Sequence, residues 1–171
     1  PGNRTQIYQS LGTDLSAIQP PVWAAMIATF IRNKGYSVAI LDAEADSLSP
    51  QEVGESVSYI KPLLAAVVVY GNQPSASTQN MTAAGKICTA IRQSNENIHS
   101  ILIGGHVTAL PEQTLFEEEV DFVAGGEGPY TIADLLEALK NGDEDYTKVR
   151  GLWYRDSNCI RHSPPAPLIK D

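Results

Sequence analysis

Short apolar runs alternate with helical stretches along most of the chain. Uninterrupted apolar runs are typical of parallel strands, because helices cover both faces of such a sheet. We predict five strands in this way, at residues 4–11, 37–42, 65–70, 101–103 and 122–124. The run A-A-V-V-V-Y at 65–70 is the clearest of them, and Asp42, where the second run ends, is interpreted as a turn residue.

Between these runs, apolar residues recur every three to four positions, which predicts helices. Proline at the first helical position and glycine after the last one favour helix ends. The predicted helices run from Pro20-Pro21 to Gly35, from the capping box Ser49–Glu52 to Pro62, from a cap at Ser77 or Thr78 through Ile91, from Pro111 to about Glu118, and from Pro129 to Gly142.

The last part of the chain has a different pattern. Residues 149–155 and 159–162 flank Asp156-Ser157-Asn158, which predicts a β-hairpin, and the proline-rich segment 163–167 predicts a stiff linker. The whole pattern predicts an α/β fold, a Rossmann-like (flavodoxin-like) doubly wound parallel sheet of about five strands with a C-terminal β-hairpin. We expect an α/β domain at 1–148, the hairpin at 149–163 and a linker at 164–171.

Composition excludes several classes of protein. The 171 residues suit one domain, and a net charge of −8 argues against binding to nucleic acid. No apolar run approaches the ~18 residues of a membrane span and no signal peptide opens the chain, so we expect a cytoplasmic protein. The chain begins at Pro1, which suggests an excised segment. Cys88 and Cys159 are too far apart for a zinc or iron–sulfur motif, and we predict free thiols.

Glycine and small polar residues follow the third, fourth and fifth predicted strands. They lie at residues 71–77, 104–105 and 125–128. The carboxyl ends of parallel strands share one edge of the sheet, where such folds bind ligands. Glycine there lets a ligand approach the backbone, so the sequence predicts a binding slot at this edge. Alternatively, Gly104-Gly105 serves only a tight turn and close packing.

Familiar ligand motifs are absent. Gly12-Thr13-Asp14-Leu15 follows the first predicted strand where a dinucleotide site needs G-x-G-x-x-G, and no P-loop is present. The third strand ends in Tyr70-Gly71-Asn72 rather than in the aspartate of a phosphoacceptor domain. No order of Ser, His and Asp suggests a hydrolase.

Five segments carry a resemblance to a known family: I-L-D at 40–42, N-Q-P-S-A-S at 72–77, G-G-H-V-T-A-L-P-E at 104–112, D-F-V-A-G-G-E-G at 121–128 and G-L-W-Y-R at 151–155. With these segments the chain resembles the cobalamin-binding (B12-binding) domain at the N-terminus of radical-SAM enzymes. The resemblance implies a strand-end slot for the nucleotide tail of cobalamin, with the corrin across the carboxyl edge. The implied cofactor-binding residues are Gly71, Asn72, Pro74, Ser75, Ser77, Thr78, Gly104, Gly105, His106, Val107, Thr108, Gly126, Glu127 and Gly128.

The family also implies a following barrel that cleaves S-adenosylmethionine at a [4Fe–4S] cluster. This chain lacks the C-x-x-x-C-x-x-C motif of that barrel, so we expect it to bind a cofactor and to contain no catalytic or metal-ligating residue. It also lacks D-x-H-x-x-G after the first predicted strand, which implies cobalamin bound without a histidine lower ligand. The expected parent is a cobalamin-dependent methyltransferase or a related enzyme. The alternative is a doubly wound interaction or small-ligand domain that does not bind cobalamin.

Several polar side chains of these loops keep more than one interpretation. His106 is a cobalt ligand, a hydrogen-bond donor to the corrin side chains or a solvated histidine. Ser75, Ser77 and Thr78 contact the cofactor tail, cap the third helix, or do both. Glu127 contacts a ribose or a corrin amide, or caps the last helix.

Overall fold

A computed structural model describes residues 20–71, 74–157 and 159–169. The predicted strand at residues 4–11 lies outside this part of the chain. The helices are α1 (Val22–Asn33), α2 (Pro50–Ile60), α3 (Pro74–Ser94), α4 (Gly105–Ala109), α5 (Pro111–Glu117) and α6 (Pro129–Asn141). The strands are β1 (Leu64–Val69), β2 (His99–Gly104), β3 (Phe122–Ala124), β4 (Leu152–Asp156) and β5 (Cys159–His162).

The described strands form one sheet in the order β1-β2-β3-β4-β5. The first three are parallel, with Val69 opposite Gly104 and Leu102 opposite Val123. β4 pairs antiparallel with β3, and β5 antiparallel with β4. The predicted hairpin is therefore confirmed, and it extends the same sheet as an antiparallel addition.

Helices cover both faces of this sheet, as the doubly wound pattern predicts. Leu102 of β2 packs in a core with residues of α2, α3 and α5. Its neighbours Ile101 and Ile103 point to the other face and pack with α1 and α6. This alternation follows from the two-residue period of a strand, and all three residues are fully buried.

Local sequence accounts for several helix ends. Ser49 and Glu52 form the predicted capping box at the start of α2, because the Ser49 side chain accepts from Glu52 N–H and the Glu52 carboxylate accepts from Ser49 N–H. Gly142 ends α6 in the left-handed conformation, at φ 72°. Among the described residues, no helix has the length and apolar character that crossing a membrane requires.

The predicted strand at 37–42 is wrong. No described strand pairs with this segment, and Ile40 and Leu41 are 48% and 38% exposed. An apolar run becomes a strand only when a neighbouring strand supplies its backbone hydrogen bonds. Asp42 is a turn residue, as predicted, and its Oδ1 accepts from Ala45 N–H at 3.2 Å.

The predicted start of the third helix is also wrong. α3 begins at Pro74, so Ser77 and Thr78 lie inside its first turns and do not cap it. The Ser77 hydroxyl bonds to other elements instead. The sequence pattern does not predict α4, because five residues are too few to show a helical period.

Candidate functional site

The carboxyl ends of β1, β2 and β3 lie side by side, because the three strands are parallel. The chain leaves β1 through Tyr70 and Gly71, and it leaves β2 directly into α4. The segment from Gly125 to Gly128 joins β3 to α6. The structure thus brings the three predicted loops to one edge.

Ser77 ties the first two of these strand ends together. Its hydroxyl donates to the Val69 carbonyl of β1 and accepts from the His106 amide of α4, the latter at 3.0 Å. Ser77 is only 1% exposed. Leaving a buried polar group unpaired is costly, so these two bonds fix α4 against the end of β1.

His106 lies at the edge on α4 and contacts Thr78. Its Nδ1 lies 3.0 Å from the Thr78 Oγ1. His106 is half-buried, whereas Thr78 is exposed. This contact holds the ring through one nitrogen and thereby orients it.

Thr108 ties α4 to the loop after β3. Its hydroxyl donates to the Gly126 carbonyl and accepts from the Gly126 amide, both at 3.2 Å. Ser77 and Thr108 therefore connect the three strand ends through α4. The sequence predicts both residues as ligand contacts, and it does not predict their bonds to Val69, His106 and Gly126.

The glycines of the edge are of two kinds. A Cβ on Gly105 would meet only Ser77, at 3.8 Å or more, and a Cβ on Gly126 would meet nothing within 4 Å. A Cβ on Gly104, by contrast, would lie 2.3 Å from the Val69 carbonyl oxygen, and one on Gly128 would lie 2.8 Å from Ile103 Cγ2. Packing therefore requires Gly104 after β2 and Gly128 after β3, whereas Gly105 and Gly126 face open space.

Other predicted site residues are placed as follows. Val107 is fully buried in the core beside α3, so its side chain does not face the edge. A Cβ on Gly71 would lie 2.3 Å from the Ala76 Cβ, which shows close packing there. Asn72 and the side chains of Pro74 and Ser75 lie outside the described part of the chain.

Glu127 is exposed at the end of the loop after β3. Its Oε2 accepts from the Ile169 amide at 2.9 Å. The N-cap of α6 is Gly128, without any side-chain bond, so the predicted capping role of Glu127 is wrong. Burial raises the pKa of Tyr70, and the negative charge of Glu127 raises it further.

Tyr70 stacks on Trp23 of α1 beside this edge. The ring centroids are 4.7 Å apart with an interplanar angle of 25°. Trp23 is 49% exposed and Tyr70 is half-buried. The pair therefore forms an aromatic wall on the α1 side of the strand ends. In the sequence, Trp23 is visible only as one of several apolar residues at helical spacing. That spacing does not show whether its side chain lies in the core or beside this edge.

Two cavities formed by the described residues lie elsewhere. One, of about 590 Å³, lies at the opposite edge near His99 and Phe122, where β2 and β3 begin. The other, of about 670 Å³, lies between α2 and α3. Neither is lined by a predicted site residue. No cluster of metal-ligating side chains occurs within residues 20–71, 74–157 and 159–169.

Comparisons with known proteins find both sequence and structural relatives of this chain. The family model described as "B12 binding domain" matches residues 9–136. The chain is 30% identical over 153 residues to a protein of Pyrococcus horikoshii called an uncharacterized methyltransferase. It is also 30% identical over 153 residues to the anaerobic magnesium-protoporphyrin IX monomethyl ester cyclase of Synechocystis. Each alignment covers 89% of this chain but only 31% and 30% of those proteins, so the chain spans about a third of their length.

Solved structures show the same fold. TsrM of Kitasatospora setae, a radical S-adenosylmethionine methyltransferase, matches with a TM-score of 0.74 at 18% identity, over 88% of this chain and 28% of that one. OxsB, a cobalamin-dependent S-adenosylmethionine radical enzyme with aqua-cobalamin bound, matches with a TM-score of 0.67 at 15% identity, over 92% of this chain and 21% of that one.

Proposed function

The chain belongs to the B12-binding domain family, and we propose that it carries cobalamin across the carboxyl edge of β1, β2 and β3 as one part of a radical-SAM enzyme. The observation that carries this proposal is the open space at Gly105 and Gly126. A bulky cofactor needs backbone that it can approach closely, and these two glycines offer it on neighbouring strand ends.

The residues around this space fit the nucleotide tail and the corrin amides. Thr78, His106 and Thr108 supply hydroxyl and imidazole groups next to the two open glycines. Gly71, Ser77, Gly104, Val107 and Gly128 shape the edge by packing. Asn72, Pro74 and Ser75 stay proposed contacts of the cofactor on the strength of the sequence motif alone. The stacked pair of Trp23 and Tyr70 offers apolar surface for the edge of a large ring.

Cobalamin is held here by shape and hydrogen bonds, without a histidine lower ligand. The absence of D-x-H-x-x-G from residues 12–19 supports this. The contact of His106 Nδ1 with Thr78 occupies only one nitrogen of the ring, so the spectrum of His106→Ala decides whether this residue binds cobalt.

The parent enzyme is expected to be of the methyltransferase type. When bound, cobalamin supplies a cobalt that can accept and donate a methyl group. The chemistry of radical formation requires a [4Fe–4S] cluster and S-adenosylmethionine, which a further domain of the same parent chain would bind in the cytoplasm. This chain contributes the cofactor-carrying edge.

Reconstitution with hydroxocobalamin tests the proposal. We expect the desalted protein to keep the visible spectrum of cobalamin, and Gly105→Leu to abolish retention because the new side chain fills the open space. Ala109→Leu, which adds the same side chain at an exposed position of α4, is the matched control and should retain cobalamin. Circular dichroism and urea unfolding check that each variant folds.

Retention at the wild-type level in Gly105→Leu would contradict the proposed site. If the wild-type protein is colourless after desalting, the result favours the alternative function, an interaction or small-ligand domain that does not bind cobalamin. The visible spectrum of cobalamin bound to His106→Ala tests whether this histidine is a cobalt ligand. We expect the wild-type spectrum, and a changed spectrum would show that His106 binds cobalt.

A further inference from the structure

The chain after β5, residues 163–169 (the strap), runs from the end of β5 to the loop after β3, at the carboxyl edge of β1, β2 and β3 (the ligand edge). β5 is antiparallel to β4, and β4 is antiparallel to β3, so β5 runs in the direction of β3. It therefore ends at the same edge as β1, β2 and β3. The strap contains Pro164, Pro165 and Pro167, whose rings restrict the backbone.

The first part of the strap is fixed to the loop before β4 and to the start of that strand. The buried Ser163 donates through its amide to the Leu152 carbonyl at 2.9 Å and through its hydroxyl to the Tyr146 carbonyl at 2.7 Å. The Pro164 carbonyl accepts from the Gly151 amide at 2.6 Å. These bonds hold the strap at the point where it leaves β5.

Glu127 holds the far end of the strap. Its carboxylate accepts from the Ile169 amide at 2.9 Å, across 42 positions of sequence. Glu127 stands between Gly126 and Gly128, which have φ of +118° and +92°. Thr108 fixes the backbone of this loop through both of its bonds to Gly126. The carboxylate is therefore attached to a loop that is itself held in place.

Most of the segment between these anchors is exposed. Pro165, Pro167 and Leu168 are all exposed, and Leu168 is 72% exposed. Ala166 is half-buried and lies close to Gly151, whereas the residues after it are exposed, so the direction of the strap beyond Ala166 depends on the anchor at Ile169. The outer anchor lies on the same loop as the open glycine Gly126.

We propose that Glu127 is a positioning residue for the strap and not a contact of the cofactor. It fixes the direction in which the polypeptide leaves the ligand edge, and thereby where the chain beyond the strap lies relative to that edge. The anchoring itself does not depend on which ligand binds, but its role in placing a partner domain rests on the proposed function.

Hydrogen exchange at the Ile169 amide, followed by NMR, tests the anchor. In Glu127→Ala we expect this amide to exchange roughly tenfold faster, because it loses a charge-assisted hydrogen bond. Glu127→Gln should restore part of the protection, since its amide oxygen can still accept. Glu137→Ala removes an exposed glutamate of α6 and is the matched control, with wild-type exchange expected. Equal Ile169 rates in wild type and Glu127→Ala overturn the inference.

Cobalamin affinity separates the strap role from a cofactor contact. We expect Glu127→Ala to bind hydroxocobalamin within about threefold of the wild-type affinity, because no cofactor bond is removed. A tenfold or larger loss of affinity overturns the assignment of Glu127 to the strap alone. If the wild-type protein binds no cobalamin, the proposed function fails, while the Ile169 rates still decide whether Glu127 anchors the strap.

Discussion

Gly104 and Gly105 are adjacent, yet the absence of a side chain has a different consequence at each. Gly104 is buried and extended, and its missing Cβ lets the Val69 carbonyl and Ser77 approach. Gly105 is exposed and begins α4, with room for a Cβ. The first glycine thus belongs to the packing of the strand ends, and the second to the surface that a ligand can reach.

Alanine at the two positions should separate these roles. Gly104→Ala places a Cβ 2.3 Å from the Val69 oxygen, and we expect a loss of about 1–3 kcal/mol in the free energy of unfolding. Gly105→Ala meets only ordinary contacts, and we expect a change within about 0.5 kcal/mol. Urea unfolding of both variants measures the difference. Equal losses would show that packing requires both glycines.

At the scale of elements, side chains join helices to the ends of other elements. Thr108 of α4 reaches the loop after β3, and Ser77 of α3 reaches the end of β1. Arg155 of β4 does the same at the opposite edge, where its guanidinium donates to the carbonyls of Leu115, Glu118 and Val120. These carbonyls belong to the end of α5 and to the turn that follows it. The hairpin therefore caps a helix as well as extending the sheet.

Removing this cap should destabilise the protein measurably. Arg155→Met keeps the apolar stem but loses all three bonds, and we expect a loss of about 1–2 kcal/mol in the free energy of unfolding. Arg161→Met is the matched control, because that arginine forms an exposed ion pair with Asp156, and we expect a loss under about 0.5 kcal/mol. Urea unfolding gives both values. A similar effect of the two substitutions would contradict the capping role of Arg155.

At the scale of the whole molecule, two cores lie on opposite faces of one sheet, and the ligand edge lies at the strand ends between them. Cys88 of α3 is fully buried in the first core, whereas Cys159 at the start of β5 is exposed. Burial, together with the charges of Glu118 and Asp121, raises the pKa of the Cys88 thiol to about 12 from 9.0. The folded protein therefore keeps this proton at a pH where the unfolded chain loses it.

Stability should consequently fall in alkaline solution. Above pH 9 the unfolded chain binds fewer protons than the folded one, so the free energy of unfolding decreases as pH rises, by at most about 1.4 kcal/mol per pH unit from this group. Cys88→Ala should show a shallower decrease between pH 8 and pH 10.5, while Cys159→Ala should follow the wild type. Urea unfolding across this range is the measurement. If the free energy of unfolding falls equally with pH in wild type and Cys88→Ala, the raised pKa of Cys88 is contradicted.

The sequence by itself determined the local features of the protein. The apolar runs of β1, β2 and β3, the capping box of α2, the glycine that ends α6 and the hairpin all depend on neighbouring residues, so local patterns predict them. The order of strands and helices then placed three loops at one edge, and the motifs in those loops indicated the B12-binding family.

Only the tertiary structure decided which residues pair or bond with residues elsewhere in the chain. It showed that 37–42 pairs with no described strand, that Ser77 bonds to residues 8 and 29 positions away, and that Glu127 holds an amide 42 positions away. It also separated Gly104 from Gly105, which are identical letters in the sequence. These roles depend on which atoms come together when the chain folds, so a local sequence pattern cannot predict them.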